Sequence, residues 1–134
     1  MNCWPTAKHF ASWLTLAPRN DISGGKILKS RTLKSKNRAA QAFRMAAQSV
    51  SRSDSALGAF YRRMRAKHGS PKAITATAHK IARIFYHLLK YKEEYRDPGQ
   101  DYYEQKYRER VIRNLKRRAK DLGLDLVPQL QVVS

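Results

Sequence analysis

Between Ser70 and Leu89, the apolar residues Ile74, Ala78, Ile81, Ala82, Phe85, Leu88 and Leu89 recur at i, i+4, i+7 and i+8 over five turns. No other segment of the chain is as strongly periodic, and it constrains the fold more than any single motif. A helix with one long apolar face must bury that face, so the rest of the chain has to supply partners for it. Pro71 falls in the first turn, where its missing N–H is not needed.

Four further segments read as helices. Residues 6–17 place Ala7, Phe10, Ala11, Leu14 and Ala17 at helical spacing, with Thr6 after Pro5 as a start and Pro18 as a stop. A second helix begins near residue 35 or 36, with Ala39, Ala42, Phe43, Ala46 and Val50 as its buried stripe; its alanines suggest close helix contact. A third opens with Ser53 or Ser55 as N-cap, turns Leu57, Phe60, Tyr61 and Met64 inward, and closes at Gly69; Gly58 lowers its propensity. After a turn at Asp97–Gln100, a last helix from Asp101 to about Leu122 sets Tyr103, Tyr107, Val111, Leu115, Ala119 and Leu122 on one stripe, and Gly123 ends it. The expected fold is all-α, a compact bundle of about five helices in one domain. It has a lead-in helix (1–18), a long basic loop (19–36), a helical core (36–93), a C-terminal basic helix (101–123) and a short apolar tail (124–134).

The loop between the first two helices is where the periodicity fails. RNDISGGKILKSRTLKSK has paired glycines, scattered serines and no sustained period, which indicates a loop or a short hairpin. Loops of this length are usually functional or mobile. Ser23-Gly24-Gly25-Lys26 is either a plain turn or a place where consecutive backbone N–H groups meet a phosphate, since paired glycines allow positive φ. It is not a nucleotide-binding GxxxxGK[ST] loop.

Charge decides the class of partner. The chain has 28 lysines and arginines against 10 acids, a formal net charge of +18 in 134 residues. Cations at this density repel one another unless a polyanion neutralises them, and nucleic acid is the first candidate. An anionic membrane is second, but the chain has neither a long apolar stretch nor a signal-peptide pattern. The single Cys3 excludes an internal disulfide and fits a reducing cytoplasm.

The charge is concentrated. Residues 21–52 hold eight basic side chains against one acid, Asp21, whereas in the last helix acids are interspersed with the bases, as on an ordinary solvated surface. The nucleic-acid-binding set is therefore Arg19, Lys26, Lys29, Arg31, Lys34, Lys36, Asn37, Arg38 and Arg44. The histidines, His79 and His87 on roughly one face of their helix among them, read as structural rather than as metal ligands, and no carboxylate pair has metal-site character. Tyr102, Tyr103, Tyr107, Trp4 and Trp13 either stack on bases or fill the core, with core filling favoured for Trp13 and Tyr107.

Read in order, FASWLTLAPRNDISGGK, KSKNRAAQAFRMAA and ALGAFYRRMRAKHGSPKAITATAHKIARIFYHLLK resemble the C-terminal, serine-bearing domain of insertion-sequence 110 family transposases. The most specific parts are Ala17-Pro18 followed by Ser23-Gly24-Gly25, the Asn37-Arg38 helix start, the Phe60-Tyr61 helix and the segment from Lys80 to Lys90. The resemblance implies that Ser23, through its Ser-Gly-Gly context, is a nucleophile that attacks a DNA phosphodiester. It also implies a structured guide RNA, homo-oligomers with composite active sites, and magnesium held by an acidic, nuclease-like N-terminal domain. No such domain lies within these residues, so a truncated or excised product that binds DNA without cutting it is expected. That expectation agrees with the residues: a serine hydroxyl needs a base or a metal to act, and the segment around Ser23 offers only Asp21. Two other readings stand beside it, a stand-alone helical nucleic-acid-binding protein and an inactive transposase remnant.

Overall fold

A computed structural model describes residues 2–34 and 36–130. Five helices, α1 (Ala7–Trp13), α2 (Arg38–Val50), α3 (Ala56–His68), α4 (Ser70–Tyr91) and α5 (Gln100–Asp121), follow the expected order. Between α1 and α2 lies an antiparallel hairpin of β1 (Arg19–Ser23) and β2 (Lys26–Arg31). The fold is thus mostly helical and not all-α. The segment that lacked helical period forms a sheet because Gly24 and Gly25, at φ 56° and 76°, close a two-residue turn that needs positive φ at both positions.

α4 is the centre of the molecule and packs on α1, α2 and α3. Its Ala78 and Ala82, fully buried, meet Ala40 and Ala47 of α2, Phe10 of α1 and the following Leu14 in one apolar cluster with Leu16 and Tyr86. Alanines at these positions let the helix backbones approach closely, and Phe10 fills the space above them, edge-on to Trp4 and Phe43. The stripe on α2 is rotated from the expected one: Ala40 and Ala47 are buried, while Ala42 is exposed. On α4, Phe85 and Leu89 are largely exposed, and the buried face includes Ala73, Thr77 and Tyr86 instead.

Caps fix the helix ends. Thr6 accepts from the His9 N–H at the start of α1. That helix stops at Trp13, before Pro18, because Thr15 turns into the left-handed region at φ 58° and drives Leu16 into the core. Asn37 accepts from the N–H groups of Ala39 and Ala40 and so caps α2. Ser55 caps α3 by accepting from the Gly58 N–H at 3.0 Å. Gly58 is required there: a Cβ would lie 2.3 Å from the Ser53 carbonyl oxygen and 2.7 Å from that of Val50.

α5 packs on α3, and Lys80 of α4 reaches over its Tyr103 ring. Its start is tied by Arg62, which donates to the carbonyls of Ser51 and Ser53 and to Oε1 of Gln100. Arg63 then pairs with Glu104 and stacks its guanidinium 3.6 Å from the centre of the Tyr107 ring. Beyond Tyr107 the expected stripe is uncovered: α5 buries no residue, and Leu115 and Leu122 are exposed. Residues 124–130 are exposed as well.

Candidate nucleic-acid interface

Every residue of β1 and β2 is exposed, and the two strands pack on each other and on no helix. Ser23 sits at the last position of β1, immediately before the glycine turn, opposite Lys26. Register determines what shares its face. Ser23 pairs with Lys26 and Ile22 with Ile27, but beyond a bulge Asp21 pairs with Lys29, Asn20 with Ser30 and Arg19 with Arg31. The extra residue in β2 is Leu28.

Because side chains alternate along a strand and paired residues share a face, this register groups Arg19, Asp21, Ser23, Lys26, Lys29 and Arg31 on one side. Ile22 and Ile27 occupy the other. Without the bulge, continuing the turn's register would pair Lys29 with Asn20 and put Lys29 and Arg31 on the isoleucine side. The bulge therefore gathers the cations around the serine. Asp21 opposite Lys29 is a favourable cross-strand pair, whereas Arg19 opposite Arg31 sets like charges against each other.

The hairpin thus brings together Ser23, Arg19, Lys26, Lys29 and Arg31 of the expected site. Lys34 and Lys36 follow, exposed, on the connection to α2, and Arg38 is exposed at that helix's first turn. Arg44 is half-buried on α2. The Asn37 side chain is engaged as the cap of α2, and its Nδ2 also donates to the Trp13 carbonyl at 3.5 Å. Trp13, expected in the core, is half exposed against the Trp4 ring; Tyr107 is half-buried under Arg63.

The face around Ser23 holds one carboxylate, Asp21, and no histidine. Among the described residues no group of three His, Cys, Asp or Glu side chains could hold a metal ion. The magnesium that the resemblance assigns to a separate acidic domain has no three-residue ligand group among the described residues. No helix among the described residues is long and apolar enough to cross a membrane.

A second basic feature escaped the sequence reading. A groove of about 1200 Å³ runs along α4, walled by the lead-in around Pro5 and Leu16, by the base of the hairpin at Ser30–Thr32, and by Phe60 and Met64 of α3. On the α4 side it is lined by Lys72, His79, Lys80, Arg83, His87 and Lys90, with no carboxylate among its lining residues. These residues form a second stripe on α4, spaced 7, 8, 11, 15 and 18 residues from Lys72, away from the alanines that meet α2. The histidine pair at 79 and 87 was the visible part of that stripe. Burial lowers the pKa of both His79 and Lys80; Arg83 lowers that of His79 further, and Arg110 and Arg83 that of Lys80, as expected where cations crowd.

Residues 1–62, a little under half of the chain, match the family described as Transposase IS116/IS110/IS902 family. The matched stretch takes in α1, the hairpin, α2 and the first half of α3. The resemblance is borne out over this stretch, which includes the Ser-Gly-Gly turn; the Lys80 to Lys90 segment lies beyond it. No curated protein and no solved structure matches the chain.

Proposed function

We propose that this chain, a transposase-family sequence over its first 62 residues, is the strand-transfer and DNA-binding part of a transposase, with Ser23 as the nucleophile. One observation carries the reading: the Ser23 hydroxyl stands exposed at the tip of a hairpin, on the face that the bulge lines with Arg19, Lys26, Lys29 and Arg31. A phosphodiester laid on that face meets cations on both strands, and they stabilise the charge that builds on its oxygens during in-line attack. The Oγ–phosphorus bond forms as the bond from phosphorus to the departing DNA oxygen breaks. The serine proton leaves to a base, and the departing oxygen takes one up. Energy is conserved in the phosphoserine ester, so a second DNA end can reverse the step and rejoin.

Asp21 points to the same side but pairs with Lys29, and it is the hairpin's only acid. The base is therefore supplied from outside the hairpin, by an acidic domain of the same or a neighbouring subunit. Lys34, Lys36, Arg38 and Arg44 extend the cationic path beyond the sheet and hold the flanking duplex or its guide RNA.

The test is covalent trapping. With a nicked suicide substrate and an acidic-domain partner or the full-length recombinase, the wild-type serine forms a protein–DNA adduct. Ser23→Ala should abolish that adduct and strand exchange while leaving salt-sensitive binding intact; exchange that survives the substitution rejects the assignment. The shortage of activating groups around Ser23 favours a second reading, a DNA-binding module without chemistry, and failure of wild type to form any adduct would select it.

A further inference from the structure

We infer that the groove along α4 is a binding site for single-stranded DNA, leading a strand toward the face of the hairpin that carries Ser23. The inference rests on the strand-transfer reading for the identity of the polymer, and on the groove itself for its chemistry.

At about 1200 Å³ the groove exceeds the roughly 300–1,000 Å³ typical of small-molecule sites. It is also long, following α4 from Lys72 to Lys90, or 18 residues, which at about 1.5 Å rise per residue is roughly 27 Å. An extended ligand suits that shape. Its lining is mixed in a specific way. Pro5, Phe60, Met64 and Ile84 supply apolar wall, and cations stand among them.

A duplex turns its phosphates outward and its bases inward, so it has nothing to offer an apolar wall. A single strand has both faces available: bases against apolar and aromatic surface, phosphates against lysine and arginine. Among the described residues no carboxylate comes within ion-pair distance of Lys72, Lys80, Arg83 or Lys90. Lys80 lies 4.3 Å over the Phe60 ring and Lys90 donates to the Pro5 carbonyl, so these two are held in place along the walls. Lys72 and Arg83 are exposed and able to follow a backbone.

Continuity with the hairpin selects DNA. Arg31 lines the groove and by register shares the face of Ser23, so a strand leaving the groove at Arg31 passes onto the nucleophile's side. The strand that meets a nucleophile of this kind is the one being cut.

Fluorescence anisotropy on the 134-residue chain tests this, with a labelled oligo-dT of about 12 nucleotides, the RNA of equal length, and a duplex. Single-stranded DNA should bind more tightly than RNA or duplex. The double variant Lys72→Glu with Arg83→Glu should weaken its binding roughly tenfold or more and flatten its salt dependence, with a smaller effect on duplex. Lys72→Gln with Arg83→Gln, which places no new acid beside α4, should give the same order of strands with a smaller loss, and circular dichroism checks that both fold. Unchanged single-strand affinity in the variants, no binding by wild type, or tighter binding of RNA overturns the inference. The nucleophile is read by covalent trapping and the groove by anisotropy, so loss of the one assignment and loss of the other are read separately.

Discussion

α4 and α5 are both 22 residues long and both carry apolar stripes, yet one is the centre of the molecule and the other lies along its edge. α4 buries Ala73, Thr77, Ala78, Ala82 and Tyr86, whereas α5 buries nothing. The difference is in neighbours as well as in composition: α1, α2 and α3 pack on α4, and only α3 packs on α5. Along α4 the inward residues step by four, one, four and four, which spreads them over roughly 220° of the helix at about 100° per residue, an arc that α1, α2 and α3 cover between them. In α5, Tyr103, Tyr107, Val111, Leu115 and Ala119 step strictly by four, and each step overshoots a full turn by about 40°. After four steps the stripe has wound roughly 160° round the helix. Only its beginning, at Tyr103 and Tyr107, meets α3, through Phe60 and Arg63. An apolar residue every four positions therefore does not guarantee one buried face.

The largest test of this contrast is Ala82→Leu. Ala82 is fully buried where α4 meets its neighbours, and three added carbons there should cost about 3 kcal/mol, read as a lower midpoint in thermal or urea unfolding. A neutral outcome would mean that the helices do not approach as closely as their alanines imply. Thr77→Val should move stability the other way. The Thr77 hydroxyl is buried without a hydrogen-bond partner among the described residues, so an isosteric methyl should raise stability by about 1 kcal/mol.

Acid should act through α4 as well. The folded pKa of His79 lies below its ordinary 6.5, mainly through burial and then through Arg83, so the unfolded chain takes up that proton first. Stability should therefore be complete above pH 6.5, fall as the pH drops through 6.5 toward the folded pKa, and fall less in His79→Gln. Unfolding curves across that range give the comparison directly. The smallest effect belongs to α5: Leu115→Ala should change stability by less than about 0.5 kcal/mol, because that side chain is already exposed. A loss near that of the α4 core variant would show that the distal half of α5 is packed after all.

Much of the helical architecture was legible. Thr6, Ser55, Pro71 and Gly69 mark helix ends because capping is local chemistry that the sequence states outright. The orientation of α2 was not legible, since alanine at 39, 40, 42, 46 and 47 leaves little contrast between its sides. Tertiary neighbours chose Ala40 and Ala47. Of the site, the Ser-Gly-Gly turn and its cations stood out as composition. Their grouping did not, because it depends on one unpaired residue that alternation along the strand cannot reveal. The groove was hidden for a third reason: three separate parts of the chain, the lead-in, the hairpin base and α3, come to border it only when folded.

That unpaired residue makes the arm sensitive to length in a way it is not sensitive to spelling. Adding one residue between Asp21 and Ile22, opposite Leu28, would leave every charge and the serine in the protein, yet the continuous ladder that results would roll Arg19, Lys29 and Arg31 underneath the ribbon. A reacting strand would then find Lys26 alone beside the serine, with Leu28, Asn20 and Ser30 where cations had been, and one inserted residue would behave like a triple charge knockout.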